Sequence, residues 1–413
     1  MRESGDSAEP DAVGAQIAVI GSGPSGCYTA QFLTKADPSV RVTVFDRLPA
    51  PFGLVRYGVA ADHQGTKAVI RQFERLFDLP RVRFAGNVEL GRELSIDDLL
   101  ESFDAVILAT GLHDDRLLET DGSALPGVVG SGVLTRFLNG HPDEDGETLA
   151  CGSDVVVVGA GNVAVDVVRL LAKTAEHYEG SDMDDEAHSR LTAGVRSITL
   201  VARSSAEAAK FDRAMVRELG DIAGVAIEVH GVDTDASDPK SETVRALVTT
   251  DAPSARVRIS LRFHTTPGEI VGTEHVEGLR VSDASGQHVI PAQTIVTAIG
   301  FRGETLAVSD PRVHTVGWAR RGPVGTIPDN RTDARQVADE VLAGLATRDP
   351  ALPGFDGLPQ TVRDRAVAID HWRQLDAVEL ASADAGRIRR KIRTWAGLLD
   401  QHTVSHDTKG TDQ

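Results

Sequence analysis

Ile17-Ala-Val-Ile-Gly-Ser-Gly-Pro-Ser-Gly26 is a short apolar run that passes at once into Gly-x-Gly-x-x-Gly and then into a helical pattern. That order is the strand, tight turn and helix of a dinucleotide-binding unit. Gly21 permits the turn, Gly23 lets backbone approach a pyrophosphate, and Gly26 lets helix and strand pack closely. Pro24 and Ser25 open the helix, whose free N–H groups receive the phosphates. Residues 40–46 read as the next strand, with Val40, Val42 and Val44 alternating with Arg41 and Thr43 before the run stops at Asp46. An acid at this spacing, about 20 residues past the glycines, accepts hydrogen bonds from an adenosine ribose.

A second unit begins at Asp154-Val-Val-Val-Val-Gly-Ala-Gly-Asn-Val-Ala-Val-Asp166, where Gly159, Gly161 and Ala164 fit Gly-x-Gly-x-x-Ala. Two such units, each after a β-branched run and before a helix, point to two bound nucleotides. The strand Ser197-Ile-Thr-Leu-Val-Ala-Arg203 closes on Arg203, Ser204 and Ser205, with no acid at the ribose position. A carboxylate there repels a 2′-phosphate, whereas a guanidinium with neighbouring hydroxyls holds one, so NADP fits better than NAD. Residues 105–111 and 295–300 are matching buried strands that end in Thr-Gly and Ile-Gly. They read as twin connections, with the second domain inserted into the first.

The fold class expected is α/β, two Rossmann-like dinucleotide-binding domains with one inserted into the other, which is discontinuous. Its division is 15–112 with 297–402 for the first domain and 113–296 for the second, between a disordered leader (1–14) and tail (403–413). A chain of 413 residues is long enough for two such cores. No apolar run approaches the roughly 18 residues of a membrane span. The acidic, polar start carries no signal-peptide core, and a cytoplasmic location follows. Two cysteines, Cys27 and Cys151, make neither a disulfide framework nor a Cys-x-x-Cys pair nor an iron–sulfur ligand set, so redox chemistry has to come from a bound organic cofactor. A net charge of −18 argues against nucleic acid as a partner.

Elsewhere the pattern predicts helices over 67–77, 96–102, 211–220, 332–345 and 362–380, and a basic helix over 385–399. Residues 243–250 and 256–264 read as an antiparallel pair of strands joined by a hairpin. Residues 49–63 show little periodicity, and their glycines and aromatics suit either a packed loop or a wall against something flat.

Four stretches, 21–26, Pro51-Phe-Gly-Leu-Val-Arg-Tyr-Gly-Val-Ala-Ala-Asp-His63, 161–166 and Gly317-Trp-Ala-Arg-Arg-Gly-Pro-Val-Gly-Thr-Ile327, together resemble the adrenodoxin-reductase-like ferredoxin–NADP reductases, bacterial members included. The resemblance spans roughly residues 15–400. It implies an FAD domain built from both chain ends and an inserted NADP domain. It also implies hydride transfer from NADPH to the flavin, with single electrons released to a ferredoxin-type iron–sulfur carrier. A flavin suits that task because nicotinamide moves two electrons together and an iron–sulfur cluster accepts one. By the same resemblance Ser25, Asp46, Leu54, Val88, Trp318, Gly325, Thr326 and Ile327 are FAD contacts, while Ala160, Gly161, Asn162, Val163 and Arg203 with Ser204 are NADP contacts. His63 and Asp166 match a His and an Asp placed near flavin and nicotinamide, where they tune protons. A structural histidine and an early-helix acid favoured by the dipole are the alternatives.

The chain departs from its relatives in having Ser204 where they carry a second arginine and Met215 where they carry an acid, which brings NADH into consideration. An acidic ferredoxin requires local positive charge, and Arg213, Arg217, Arg320, Arg321, Arg387 and Arg390 are the candidates. Three functions compete: the ferredoxin reductase, an FAD-dependent oxidase, monooxygenase or NADH-using diaphorase, and a non-catalytic flavin-bearing subunit.

Overall fold

The computed structural model describes residues 14–144, 149–249, 253–303, 306, 308–345 and 352–400. Residues 1–13 of the expected leader and the whole expected tail lie outside these. Five parallel strands form the first sheet, in the spatial order Val313–Thr315, Ala105–Leu108, Gln16–Ile20, Arg41–Phe45, Val82–Ala85. One of its edges therefore comes from the far end of the chain. Six parallel strands form the second, ordered Val128–Gly130, Thr294–Thr297, Asp154–Val158, Ser197–Val201, Val257–Arg262, Val225–His230. The central strands are Val- and Ile-rich and buried on both faces, as parallel strands under helices must be.

The chain passes between the sheets twice, and the two passages pair with each other. Asp114–Asp115 runs antiparallel to Phe301–Arg302. Asp115 also anchors the entry to the second domain, accepting hydrogen bonds from the backbone N–H groups of Gly132 (2.7 Å) and Val133 (3.1 Å) at the start of helix Ser131–Leu138. Gly132 has no space for a side chain, since a Cβ there would lie 2.6 Å from the Phe301 ring. An α/β fold of two Rossmann-like domains, the second inserted into a discontinuous first, is thus realised.

Three local expectations are corrected. Of the strand expected over 243–250, the described residues 243–249 form none, because Asp238 accepts from the N–H groups of Lys240 and Ser241 and Pro239 takes the first helical position, which starts the helix Pro239–Arg245. The strand Val257–Arg262 then runs parallel to both neighbours, and part of the expected hairpin, 250–252, lies outside the described residues. The helix expected over 362–380 is two, Gln360–Arg365 and Ile369–Ala381, broken where Val367 exchanges backbone hydrogen bonds with Gly86 (2.9 and 3.0 Å). The basic segment is not a helix before Trp395–Leu399. Its side chains reach carboxylates on separate elements: Arg387 meets Asp185, Arg389 meets Asp376 and Glu379, Lys391 meets Asp182, and Arg393 meets Asp184. A helix would point these cations around a cylinder, and the extended strap lets each find its partner.

Candidate functional site

The two glycine turns are built alike. Gly21 donates its N–H to Phe45 O (2.8 Å) and Gly159 to Val201 O (3.0 Å), so each turn is stitched to the next strand of its sheet. Both glycines have positive φ, 110° and 149°. At each a Cβ would fall 2.3 Å from a carbonyl oxygen of the neighbouring strand end, Ala109 or Ala298. Gly23 and Gly161 differ from these, since a Cβ on either meets nothing within 4 Å. They face open space in front of the first turns of Pro24–Ala36 and Asn162–Ala172, the arrangement that suits a pyrophosphate. Gly26 allows the close packing expected, with a Cβ there 1.9 Å from Gly21 O.

Past the second strands the two sites diverge. Asp46 accepts from the N–H (3.0 Å) and the hydroxyl of Ser22 and from Leu48 N–H (3.0 Å), which orients its carboxylate beside the first turn. The residue at the same place in the second unit is Ala202, followed by exposed Arg203 and then Ser204. Lys210 donates its backbone N–H to Ala160 O (2.8 Å) and Asp212 to Asn162 Oδ1 (2.6 Å), so the loop that carries Arg203 closes over this turn. Val163 is partly exposed at the helix start.

The segment 51–63 joins the two turns. Ser22 Oγ accepts Phe52 N–H (3.1 Å), and Phe52, with φ 82°, sends its ring into the core against Phe73 and Trp372. That kink lays Gly53 against the phosphate turn, where a Cβ would stand 3.3 Å from Gly23 Cα, and leaves Leu54 at the surface. From the other side Gly317 comes so near Ser25 that a Cβ would lie 2.1 Å from its hydroxyl. Trp318 stacks on Phe301 (5.4 Å between centroids), and its indole N–H is buried with no partner, a donor awaiting an acceptor. Gly325 has φ 96°, and Thr326 is held by Asp329 (2.6 Å from its N–H) just before Ile327 opens its helix. Val88, by contrast, is buried, with its N–H on Asp46 O (3.0 Å). These residues fit FAD at the first turn and NADP(H) at the second.

At its far end the same segment delivers His63 to the second domain. His63 Nε2 lies 3.8 Å from Asp166 Oδ1 and 4.0 Å from Glu218 Oε2. Between them stands Arg169, whose Nη2 is 2.9 Å from His63 Nε2, 2.6 Å from Asp166 Oδ1 and 3.1 Å from Asp62 Oδ1. Lys173 adds a contact to Asp62 at 2.7 Å. Burial pushes the Asp166 carboxyl above its ordinary range, against the pull of Arg169 and His63. Burial also acts to raise Asp62, but the hydrogen bonds and charges of Arg169 and Lys173 outweigh it and hold that group down at about 2. Sequence reasoning missed Arg169, Asp62, Lys173 and Glu218. The available signal was a single cation inside the apolar run Val167-Val168-Arg169-Leu170-Leu171-Ala172.

The expected docking cations are scattered. Arg320 and Arg321 pair with Asp333 (3.5 and 3.3 Å), and Arg387 pairs with Asp185 (2.7 Å). Arg390 is exposed at the strap, and Arg213 and Arg217 are exposed together beside Lys240. Cys27 and Cys151 lie in different domains, with burial raising both thiols, that of Cys151 to about 12, so no dithiol pair exists. Among the described residues no helix is long and apolar enough to cross a membrane.

Comparison with known proteins agrees with this architecture. The pyridine nucleotide-disulphide oxidoreductase family profile matches residues 15–333. Cindoxin reductase of Citrobacter braakii is 39% identical, with 93% of this chain and 90% of that one aligned. NADPH-ferredoxin reductase FprA of Mycobacterium tuberculosis is 32% identical over 93% of this chain and 98% of its own. A solved structure of FprA superposes with a TM-score of 0.86 at 30% identity, and its complex with NADPH with 0.85 at 29%, each covering 93% of this chain and 98% of that one. With two nucleotide turns and no dithiol, the chain belongs to the pyridine nucleotide-disulphide oxidoreductase family and, within it, to the adrenodoxin-reductase-like ferredoxin–NADP reductases, flavoproteins that bind FAD and NADP(H).

Proposed function

We propose that this protein is a ferredoxin–NADP(+) reductase, oxidising NADPH and reducing a ferredoxin-type carrier. The observation that carries this reading is the reach of residues 51–63 from the Gly23 turn to Asp166 and Arg169, which links the first glycine turn to the helix that follows the second. In it, 15–112 with 297–402 hold FAD and 113–296 hold NADP(H). A bound flavin supplies the exchange between paired and single electrons. Asp46 takes the adenosine ribose, Gly21 to Gly26 the pyrophosphate, and Leu54 with Trp318 to Ile327 the ring system. Ala160 to Val163 cradle the second pyrophosphate. His63 and Asp166 hold a proton relay at the junction. Exposed Arg213 and Arg217, with Lys240, form the ferredoxin-facing patch, a smaller one than the six arginines expected. The location that suits such a carrier is the cytoplasm.

The test is anaerobic mixing of the FAD-loaded protein with NADPH, with and without candidate ferredoxins at low and high salt. Rapid flavin bleaching followed by ferredoxin reduction is expected, with a ferredoxin step that slows as salt rises. Fast oxygen uptake without a carrier favours the oxidase reading, a flavin that NADH bleaches and NADPH does not favours the diaphorase, and a flavin that neither nicotinamide bleaches leaves only the subunit role. A salt-independent ferredoxin rate removes the patch. Arg203 separates the nicotinamides. One charge-assisted hydrogen bond contributes about 1.5–3 kcal/mol, so Arg203→Ala raises the Michaelis constant for NADPH roughly tenfold to a hundredfold. The constant for NADH stays within about twofold, because NADH has no 2′-phosphate to lose. Equal changes for both would show that Arg203 does not read this group.

A further inference from the structure

The guanidinium of Arg169 is 0% exposed, at the meeting of the two domains. A cation there is costly unless its donors are met. Asp62 and His63 meet it from the first domain and Asp166 from its own helix, while its Nε makes no hydrogen bond and has Glu218 Oε2 3.4 Å away as an ion-pair partner. A guanidinium only donates, so its contact with His63 Nε2 is a hydrogen bond when that nitrogen carries the lone pair. The neutral ring then bears its proton on Nδ1.

Adhesion between the domains does not depend on this contact. Lys173 already ties Asp62 to the second domain at 2.7 Å. A separate buried bridge joins Lys67 and Lys391 to Asp182 at 2.7 and 2.8 Å. What Arg169 alone does is fasten Asp62, His63 and Asp166 to one planar fork. We propose that Arg169 is a positioning residue that sets the tautomer and orientation of His63 and thereby the spacing of the nicotinamide cradle from the flavin wall. This rests on the function proposed above.

The experiment uses FAD-loaded wild type, Arg169→Met, Arg169→Lys, His63→Gln and the double variant His63→Gln/Arg169→Met. Three quantities are read: FAD content, the change NADP+ causes in the flavin absorption spectrum, and the limiting rate of flavin reduction by NADPH. Arg169→Met is expected to keep its FAD and to bind NADP+ with an altered difference spectrum. Its limiting rate falls roughly a hundredfold, the scale of a 1 Å misplacement. Arg169→Lys restores only part of the rate, because an ammonium cannot hold the acceptors in a fork. In the His63→Gln background the same substitution costs less than about threefold more, as expected of groups acting as one unit. A wild-type rate and spectrum in Arg169→Met, or a fully additive loss in the double variant, overturns the proposal. Should Arg169→Met fail to retain FAD, the cycle is read with Arg169→Lys. A wild-type flavin that NADPH leaves oxidised instead overturns the proposed function, and the NADP+ difference spectra still judge Arg169.

Discussion

Asp182→Asn will destabilise the folded protein by about 3–5 kcal/mol, the range for breaking a buried ion pair from one side. Among the described residues Asp182 is the carboxylate that pairs with two buried ammonium groups, with Lys67 Nζ at 2.7 and 2.9 Å and Lys391 Nζ at 2.8 Å. Asn139 Oδ1 accepts from both lysines (2.6 and 3.1 Å), and the Arg56 carbonyl also lies within reach of both (3.5 and 3.2 Å). None of these acceptors carries charge, so the amide leaves two cations facing each other away from water. Burial pushes both lysines below their ordinary range, Lys391 far below. Loss of one proton therefore caps the penalty. Because Lys67, Asp182 and Lys391 come from three distant parts of the chain, the loss falls on the contact between domains. Urea unfolding followed by flavin fluorescence checks this, and a midpoint unchanged from wild type contradicts it. The apolar triple variant Lys67→Met/Asp182→Leu/Lys391→Met should recover most of the stability, since the bridge's attraction largely offsets its own desolvation.

Acid should act on the same contact. Burial works to raise the Asp182 carboxyl, but Lys391 and Lys67 outweigh it and hold the group well below 3.8, and Asp62 is held at about 2. A carboxyl depressed on folding contributes stability that is complete above its unfolded value and drains as pH falls through the folded one. The interface should accordingly weaken as pH drops from about 4 to about 2. Stability that stays flat across that window would deny both carboxylates their role.

What could be read from the sequence was local. Each glycine turn needs only its own strand and helix, so both turns, the acid Asp46 that ends the first unit's second strand and the lack of such an acid before Arg203 were legible from spacing. The lysine bridge was not, because Lys67, Asp182 and Lys391 are far apart in the chain and nothing in a sequence announces which carboxylate a buried cation will find. The run 387–393 misled for the same reason. A row of cations resembles a docking face until the counter-charges at Asp182, Asp184, Asp185, Asp376 and Glu379 are seen beside it. Residues 243–249 differ for another reason, since the Asp238-Pro239 cap starts a helix before the alternation that follows it. Arg169 was the recoverable omission, since a lone arginine in an apolar helix has to be answered by buried acids.

The duplicated turns permit a cleaner separation of the two cofactors. In Gly23→Ala and Gly161→Ala the added methyl meets no protein atom within 4 Å, so folding should be undisturbed while the space for a pyrophosphate shrinks. Gly23→Ala should purify colourless yet melt as the wild-type apoprotein does, and Gly161→Ala should remain yellow while NADPH bleaches it at least about a hundredfold more slowly at equal concentration, a loss near 2.7 kcal/mol. Gly21→Ala and Gly159→Ala are harsher. There the methyl lies 2.3 Å from a carbonyl oxygen at a φ that L residues rarely adopt, so the backbone has to move as well. Strain of about 1–3 kcal/mol enters before any cofactor is considered. These two should lose binding and stability together, each in its own domain: no FAD in the first, FAD without NADPH reduction in the second. If Gly161→Ala lost its flavin, or Gly23→Ala kept it, the assignment of FAD to the first turn and NADP(H) to the second would be reversed or wrong.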